Sequence, residues 1–183
     1  WLFNPAIVGF YVMAQRIVSA PMTLVSQALR QAMLPYFSRQ YQAGSSLRPI
    51  LWKYTSGLAL IGLPGLVTLV FFGEDLFVFI LGDQWRIAGK YSSLLAPWLW
   101  TNMFNPPTTI ILTTLEKQKI QLAAETSLII SRMLSIIVGA LKNSPELSII
   151  LFSASGTAFN LATLLLANNF SQKEKAKGER CHP

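Results

Sequence analysis

Residues 54–73 read YTSGLALIGLPGLVTLVFFG, 20 residues without a charge, bounded by Lys53 and Glu74. A helix rises about 1.5 Å per residue, so the stretch spans about 30 Å, the thickness of a bilayer's hydrocarbon core. Two more follow: 25 uncharged residues between Lys90 and Glu116, and 26 between Glu146 and Lys173. Of 183 residues, 52% are apolar and 13% charged, against about a quarter charged in an ordinary soluble domain. Mean hydropathy is positive, at +0.43. Too few charges exist to cover a water-facing surface, so the sequence predicts an all-α polytopic membrane helix bundle with the lipid bilayer as its solvent.

Five spans are predicted within a membrane bundle of residues 1–170: 6–34, 52–72, 91–115, 120–141 and 147–170, with a polar tail over 171–183. Pro35 should stop the first span, which Pro21 interrupts. Asn105-Pro106-Pro107 lies near the middle of the third. Two prolines remove two backbone donors and clash with the preceding turn, so this helix should kink or break. Irregular backbone at membrane depth must line a cavity or be buried in protein. Residues 73–82, acidic at the start and apolar after it, read as a short helix at the outer interface, with a re-entrant loop as the competitor. The Lys- and Glu-rich tail reads as disordered or frayed.

The basic residues set the orientation. Nine of them (Arg39, Arg48, Lys53, Lys117, Lys119, Lys173, Lys175, Lys177 and Arg180) fall on one side, and Arg86, Lys90 and Lys142 on the other. The positive-inside rule puts the first set, and the C-terminus, in the cytoplasm. Trp52, Trp85, Trp98 and Trp100, toward span ends, read as interface anchors.

The catalytic inventory is thin. One His and one Cys, His182 and Cys181, both sit in the tail. His-based acid–base chemistry, thiol catalysis and a Cys/His metal site lack their parts. No enzyme, no cofactor and no metal are expected. Basic residues segregate by membrane side rather than clustering with aromatics, so nucleic acid is not an expected partner. The chain opens on Trp1 rather than Met, within an apolar segment, and reads as a fragment.

Polar residues inside the spans carry the functional signal. Arg16, Ser19, Thr23, Gln27 and Arg30 follow at steps of 3, 4, 4 and 3, which lines them along one helical stripe. An arginine at the helix centre costs about 2.5–3.5 kcal/mol in lipid, so Arg16 should face a partner or a water-filled cavity. For Arg30, nearer the cytoplasmic end, snorkelling competes with a cavity role. Glu125 and Arg132 lie two turns apart on the fourth span, with Gln121 one turn before Glu125. Glu125 is either a proton or cation site or the structural partner of Arg16 or Arg132. Ser153, Gly156, Asn160 and Thr163 on the fifth span read as a close-packing contact.

Five phrases carry a family resemblance: Val8-Gly9-Phe10-Tyr11 with Ala14-Gln15-Arg16-Ile17 and Pro21; Met33-Leu34-Pro35-Tyr36-Phe37-Ser38-Arg39; Leu81-Gly82-Asp83-Gln84-Trp85 with Ala88-Gly89-Lys90-Tyr91; Leu95-Ala96-Pro97-Trp98; and Pro106-Pro107 leading to Leu115-Glu116-Lys117-Gln118. In order and spacing the chain resembles the second half of a polysaccharide transporter or O-antigen flippase of the multidrug/oligosaccharidyl-lipid/polysaccharide exporter superfamily. The resemblance implies most of the second lobe of a MATE-like transporter, with the N-terminal lobe as missing partner. It implies a multi-pass bacterial inner-membrane protein of polysaccharide and lipopolysaccharide biosynthesis. Its cargo would be an undecaprenyl-pyrophosphate-linked oligosaccharide moved to the outer leaflet. Guanidinium groups bind pyrophosphate through charge-assisted hydrogen bonds. Arg16, with Arg30 and Arg132 behind it, would then form a cationic wall, Thr23, Gln27 and Asn105 would meet sugar hydroxyls, and Glu125 would couple an ion. A drug or cation antiporter and a non-transporting scaffold are the alternatives.

Overall fold

The computed structural model describes residues 5–178. Its helices are α1 (Pro5–Gln42), α2 (Leu47–Leu81), α3 (Arg86–Met103), α4 (Pro106–Thr114), α5 (Gln118–Leu141) and α6 (Pro145–Gly178), with a 3₁₀ turn at Asp83–Trp85. No strand occurs among the described residues. Helices α1, α2, α5 and α6 are long and apolar enough to cross a membrane, four against the five predicted. Large apolar side chains point outward along them: Phe79 is 88% exposed, Leu141 78% and Phe71 72%. Such surface suits hydrocarbon and not water.

The predicted third span is two helices, and the prolines explain how. Pro106 and Pro107 open α4, where a missing N–H costs nothing because the first-turn donors lack intrahelical partners anyway. The break falls at Phe104-Asn105, where the Asn105 N–H donates to the Asn102 carbonyl at 3.3 Å.

Three sequence expectations need correction. Pro21 does not interrupt the first helix and Pro35 does not stop it: α1 is continuous from Pro5 to Gln42, seven residues past Pro35. Met33 and Phe37, one turn apart across Pro35, are 5% and 0% exposed, packed with Leu47 and Leu51. Packing of these side chains against α2 holds the helix continuous through an interior proline that would otherwise cost roughly 3 kcal/mol. Residues 73–81 form no separate interfacial helix but continue α2. Gly73 touches the backbone of Gly89 on α3, and this close approach replaces the break that the glycine and the acidic pair had suggested. Finally, α6 continues past Phe170 to Gly178, where a frayed tail was expected. Ser171 is buried and its hydroxyl donates to the Ala167 carbonyl at 2.7 Å. Residues 179–183, including Cys181 and His182, lie outside the described residues.

The core has two parts, one on each side of the α3–α4 break. In the first, Met33 and Phe37 of α1 meet Leu51 and Leu58 of α2, Ile110 and Ile111 of α4, and Leu164 of α6. In the second, Ala14 of α1 meets Phe77 of α2, Leu95 and Trp98 of α3, and Ile149 of α6. Helix α2 is pinned to α3 by small residues and indole. The Ser93 hydroxyl donates to the Leu69 carbonyl at 2.7 Å, and the Trp100 indole N–H to the Ala59 carbonyl at 3.0 Å. On α6, Ser153, Asn160 and Thr163 are buried and Gly156 abuts the Trp98 ring, in line with a close-packing contact.

Candidate functional site

The stripe on α1 and the α3–α4 break face each other across a cleft of about 260 Å³. From α1 come Thr23, Ser26, Gln27 and Arg30, and from the break Asn102, Asn105, Pro106 and Thr109. Four residues singled out from sequence therefore share one site: Thr23, Gln27, Arg30 and Asn105. Helical spacing brings the α1 residues to one face, and the proline-started α4 turns Asn105 and Thr109, four residues apart, toward them. An Arg30 Nη donates to the Thr109 hydroxyl at 2.8 Å. That hydroxyl donates in turn to the Pro106 carbonyl at 2.9 Å. The lining contains one guanidinium and no carboxylate, so its field suits an anion bearing hydrogen-bonding groups.

Behind the break lies a buried polar chain. The Asn105 Nδ2 donates to Asn160 Oδ1 at 3.2 Å. Asn160 Nδ2 donates to the Thr101 hydroxyl at 3.1 Å, and Thr101 donates to the Trp98 carbonyl at 2.9 Å. Asn160 and Thr101 are 4% and 1% exposed. The Asn105 Oδ1 is buried without a hydrogen-bond partner.

The other candidates lie elsewhere. Arg16 is exposed and borders an apolar groove of about 510 Å³ beside Phe10 and Trp85. Fourteen residues of helix put it roughly 21 Å along the axis from Arg30, too far for both to grip one pyrophosphate together. Arg132, on α5, stacks over the rings of Trp98 at 4.7 Å and Phe152 at 4.2 Å. A guanidinium over an aromatic face gains about 0.5–2 kcal/mol, which helps it remain between helices. Glu125 is exposed on α5 and accepts from Gln121 Nε2 at 2.9 Å. The ion pairs among the described residues are Asp83–Arg86 and Lys90–Glu146. Glu125 thus pairs with neither Arg16 nor Arg132 there.

At the expected outer ends of α3 and α6, Lys90 Nζ and Glu146 Oε1 stand 2.6 Å apart. The hydrogen bond to Glu146, and then its charge, raise the Lys90 pKa above the ordinary lysine value. At the opposite end, Asn168 Oδ1 accepts from Arg48 at 3.1 Å and from the Trp52 indole at 3.0 Å, tying α2 to α6. No three His, Cys, Asp or Glu side chains gather among the described residues.

Sequence reasoning missed Ser26, Asn102 and Thr109. Ser26 continues the stripe at i+3 from Thr23, and Thr109 follows Asn105 at i+4; both signals were in the spacing. Nothing local marked Asn102.

With this geometry in hand, the chain is a membrane-type helix bundle with a polar cleft. Its residues 1–89 match the sequence model of a family described as "Polysaccharide biosynthesis protein". The match covers α1, α2 and the opening of α3 and includes Thr23, Gln27 and Arg30. No curated protein and no solved structure matches the chain.

Proposed function

We propose that the chain belongs to this polysaccharide-related family and forms most of one lobe of a flippase. The flippase moves an undecaprenyl-pyrophosphate-linked oligosaccharide, such as an O-antigen repeat unit, across the bacterial inner membrane. The observation that carries the reading is the cleft: one guanidinium, amides and hydroxyls, and no acid, on helices otherwise dressed for lipid. The family match over residues 1–89 supports the polysaccharide connection.

In this reading Arg30 holds the pyrophosphate through paired N–H donors, and Thr23, Gln27 and Asn105 meet sugar hydroxyls. The companion N-terminal lobe closes the open side of the cleft. Arg16, further along the same stripe, receives the anion as it moves toward the outer leaflet, so the stripe is a track rather than a single clamp. Arg132 contributes positive field from behind Trp98, and Glu125 couples the cycle to a proton or cation. Helices α3 and α4 together make the fifth crossing, and the C-terminus is cytoplasmic by the distribution of basic residues. A cationic drug would need acids at the cleft, and its lining has none; this favours the anionic cargo over an antiporter.

The test is complementation. The chain joined to its companion lobe is expressed in a flippase-deficient bacterium and surface glycan is scored. Loss of a hydrogen bond to a charged group costs about 1.5–3 kcal/mol, so Arg30→Ala should lower export roughly 10- to 150-fold and Arg30→Lys less. Export at the parental level in Arg30→Ala would refute the assignment. Export insensitive both to a pH gradient and to Glu125→Gln would remove the coupling role.

A further inference from the structure

We propose that Asn160, which does not line the cleft, is a positioning residue that gives the cleft its preference for a hydroxyl-bearing ligand over a bare phosphate. The inference rests on the reading above and deepens it.

At one end of the buried chain lies a group whose hydrogen-bonding character cannot change. The Trp98 carbonyl can only accept. The Thr101 hydroxyl donates its single proton there, at 2.9 Å. Thr101 Oγ1 is then left as an acceptor toward α6, and it meets the Asn160 amide nitrogen at 3.1 Å. With its nitrogen committed to Thr101, Asn160 turns its carbonyl oxygen toward the break. That oxygen accepts from the Asn105 amide nitrogen at 3.2 Å. The bonds run in one direction, from Asn105 through Asn160 and Thr101 to a backbone carbonyl on α3, and this order sets which end of Asn105 is left over. What remains is the Asn105 carbonyl oxygen, buried and without a partner, on a residue of the cleft wall.

The hydroxyls nearby have the same polarity. Thr23 donates to the Ala20 carbonyl at 2.8 Å and Thr109 to the Pro106 carbonyl at 2.9 Å. Both protons are committed to backbone carbonyls, so toward a ligand both oxygens can only accept, and the Thr109 oxygen already accepts from Arg30. Arg30 is the cationic donor on this wall. A bare phosphate or pyrophosphate, whose oxygens mostly accept, satisfies Arg30 but brings no donor to the buried Asn105 carbonyl. A sugar hydroxyl next to the phosphate satisfies both, by donating to Asn105 and leaving its phosphate to Arg30. A buried acceptor left unmet makes a site discriminate strongly for the ligand that supplies the donor. Asn160 acts without touching the ligand: if it is removed, Asn105 can rotate its amide and present the nitrogen instead.

The experiment measures equilibrium binding of two probes to the complete transporter in nanodiscs. One is a polyprenyl pyrophosphate bearing a sugar, and the other is the same polyprenyl pyrophosphate without it. The wild type is expected to prefer the first by roughly tenfold. Asn160→Leu should bring that ratio to about twofold or less, with affinity for the bare pyrophosphate retained. Thr101→Val, nearly isosteric and also away from the cleft lining, removes the hydroxyl that orients Asn160. It should lower the ratio in the same direction and keeps the test open where Asn160→Leu folds poorly. Both probes binding with a ratio unchanged in Thr101→Val, or with no preference in the wild type, overturns the positioning role and leaves the flippase reading standing. Binding of neither probe to wild type overturns both.

Discussion

Replacing Gly89 with alanine tests the contact that joins α2 to α3. A Cβ built on Gly89 falls 2.6 Å from the Cα of Glu74 and 3.0 Å from the carbonyl carbon of Gly73. Carbon atoms rest about 3.5–4.0 Å apart, so the two helices would have to separate by about 1 Å. Overpacking against side chains costs about 1–3 kcal/mol; here the opposing atoms are backbone and cannot rotate aside, which puts the cost near 3. Alanine returns up to about 1 kcal/mol through helix propensity. The net loss is about 2 kcal/mol, close to 30-fold in the folding equilibrium. For a chain of this size that is a fall in Tm of about 4–8 °C. Gly57 and Gly65 have nothing within 4 Å of the same atom, so Gly57→Ala and Gly65→Ala should leave Tm unchanged or slightly raised. The assay is thermal unfolding in detergent, followed by tryptophan fluorescence. A Tm for Gly89→Ala within 1 °C of wild type, or an equal fall in the controls, would refute a tight α2–α3 contact at Gly89.

Other substitutions probe the remaining contacts. Gly156→Ala pushes a Cβ into the Trp98 ring, which should displace Trp98 from Arg132 and Phe152 and cost about 1–3 kcal/mol; near-ultraviolet circular dichroism and Tm report it, and an unchanged spectrum would count against the stack. Arg132→Lys keeps the charge but loses the planar stacking, and should lower Tm more than Lys119→Arg on the exposed end of the same helix. The Lys90 pKa is raised on folding, so the pair with Glu146 stabilises below the ordinary lysine value and is lost as pH rises through the folded one. The difference in Tm between wild type and Glu146→Gln should therefore be small at neutral pH, because both side chains are about half exposed, and vanish in strongly alkaline solution. A difference that grows with alkalinity would reverse that sign.

The helices were legible because uncharged runs of bilayer length leave few alternatives, and the break at Asn105 was legible because consecutive prolines cannot continue a helix. What failed was the weight of single punctuating residues. Pro35 and Gly73 read as ends, yet Phe37 and Met33 hold the chain helical through the first and the Gly73–Gly89 contact carries it through the second. Both compensations come from other helices, and no local pattern records them. The site divides in the same way. Spacing alone aligned Thr23, Gln27 and Arg30, but which part of that stripe meets a partner depends on where α4 returns. Arg16 therefore could not be separated from Arg30 in advance. Arg132 drew attention as an intramembrane charge, while its partners Trp98 and Phe152 belong to α3 and α6, and of the two the sequence marked only Trp98, as an interface anchor.

The most direct test of the central claim asks whether the α1 stripe borders water and cargo or hydrocarbon. In a Cys181→Ser background of the complete transporter in membrane vesicles, Gln27→Cys lines the cleft and Leu24→Cys, three residues away and 69% exposed, faces outward. A charged, membrane-impermeant thiol reagent should label the first and not the second, and a sugar-bearing polyprenyl pyrophosphate should protect it. Equal inertness at both positions, or labelling of Gln27→Cys that the cargo leaves untouched, would contradict the account.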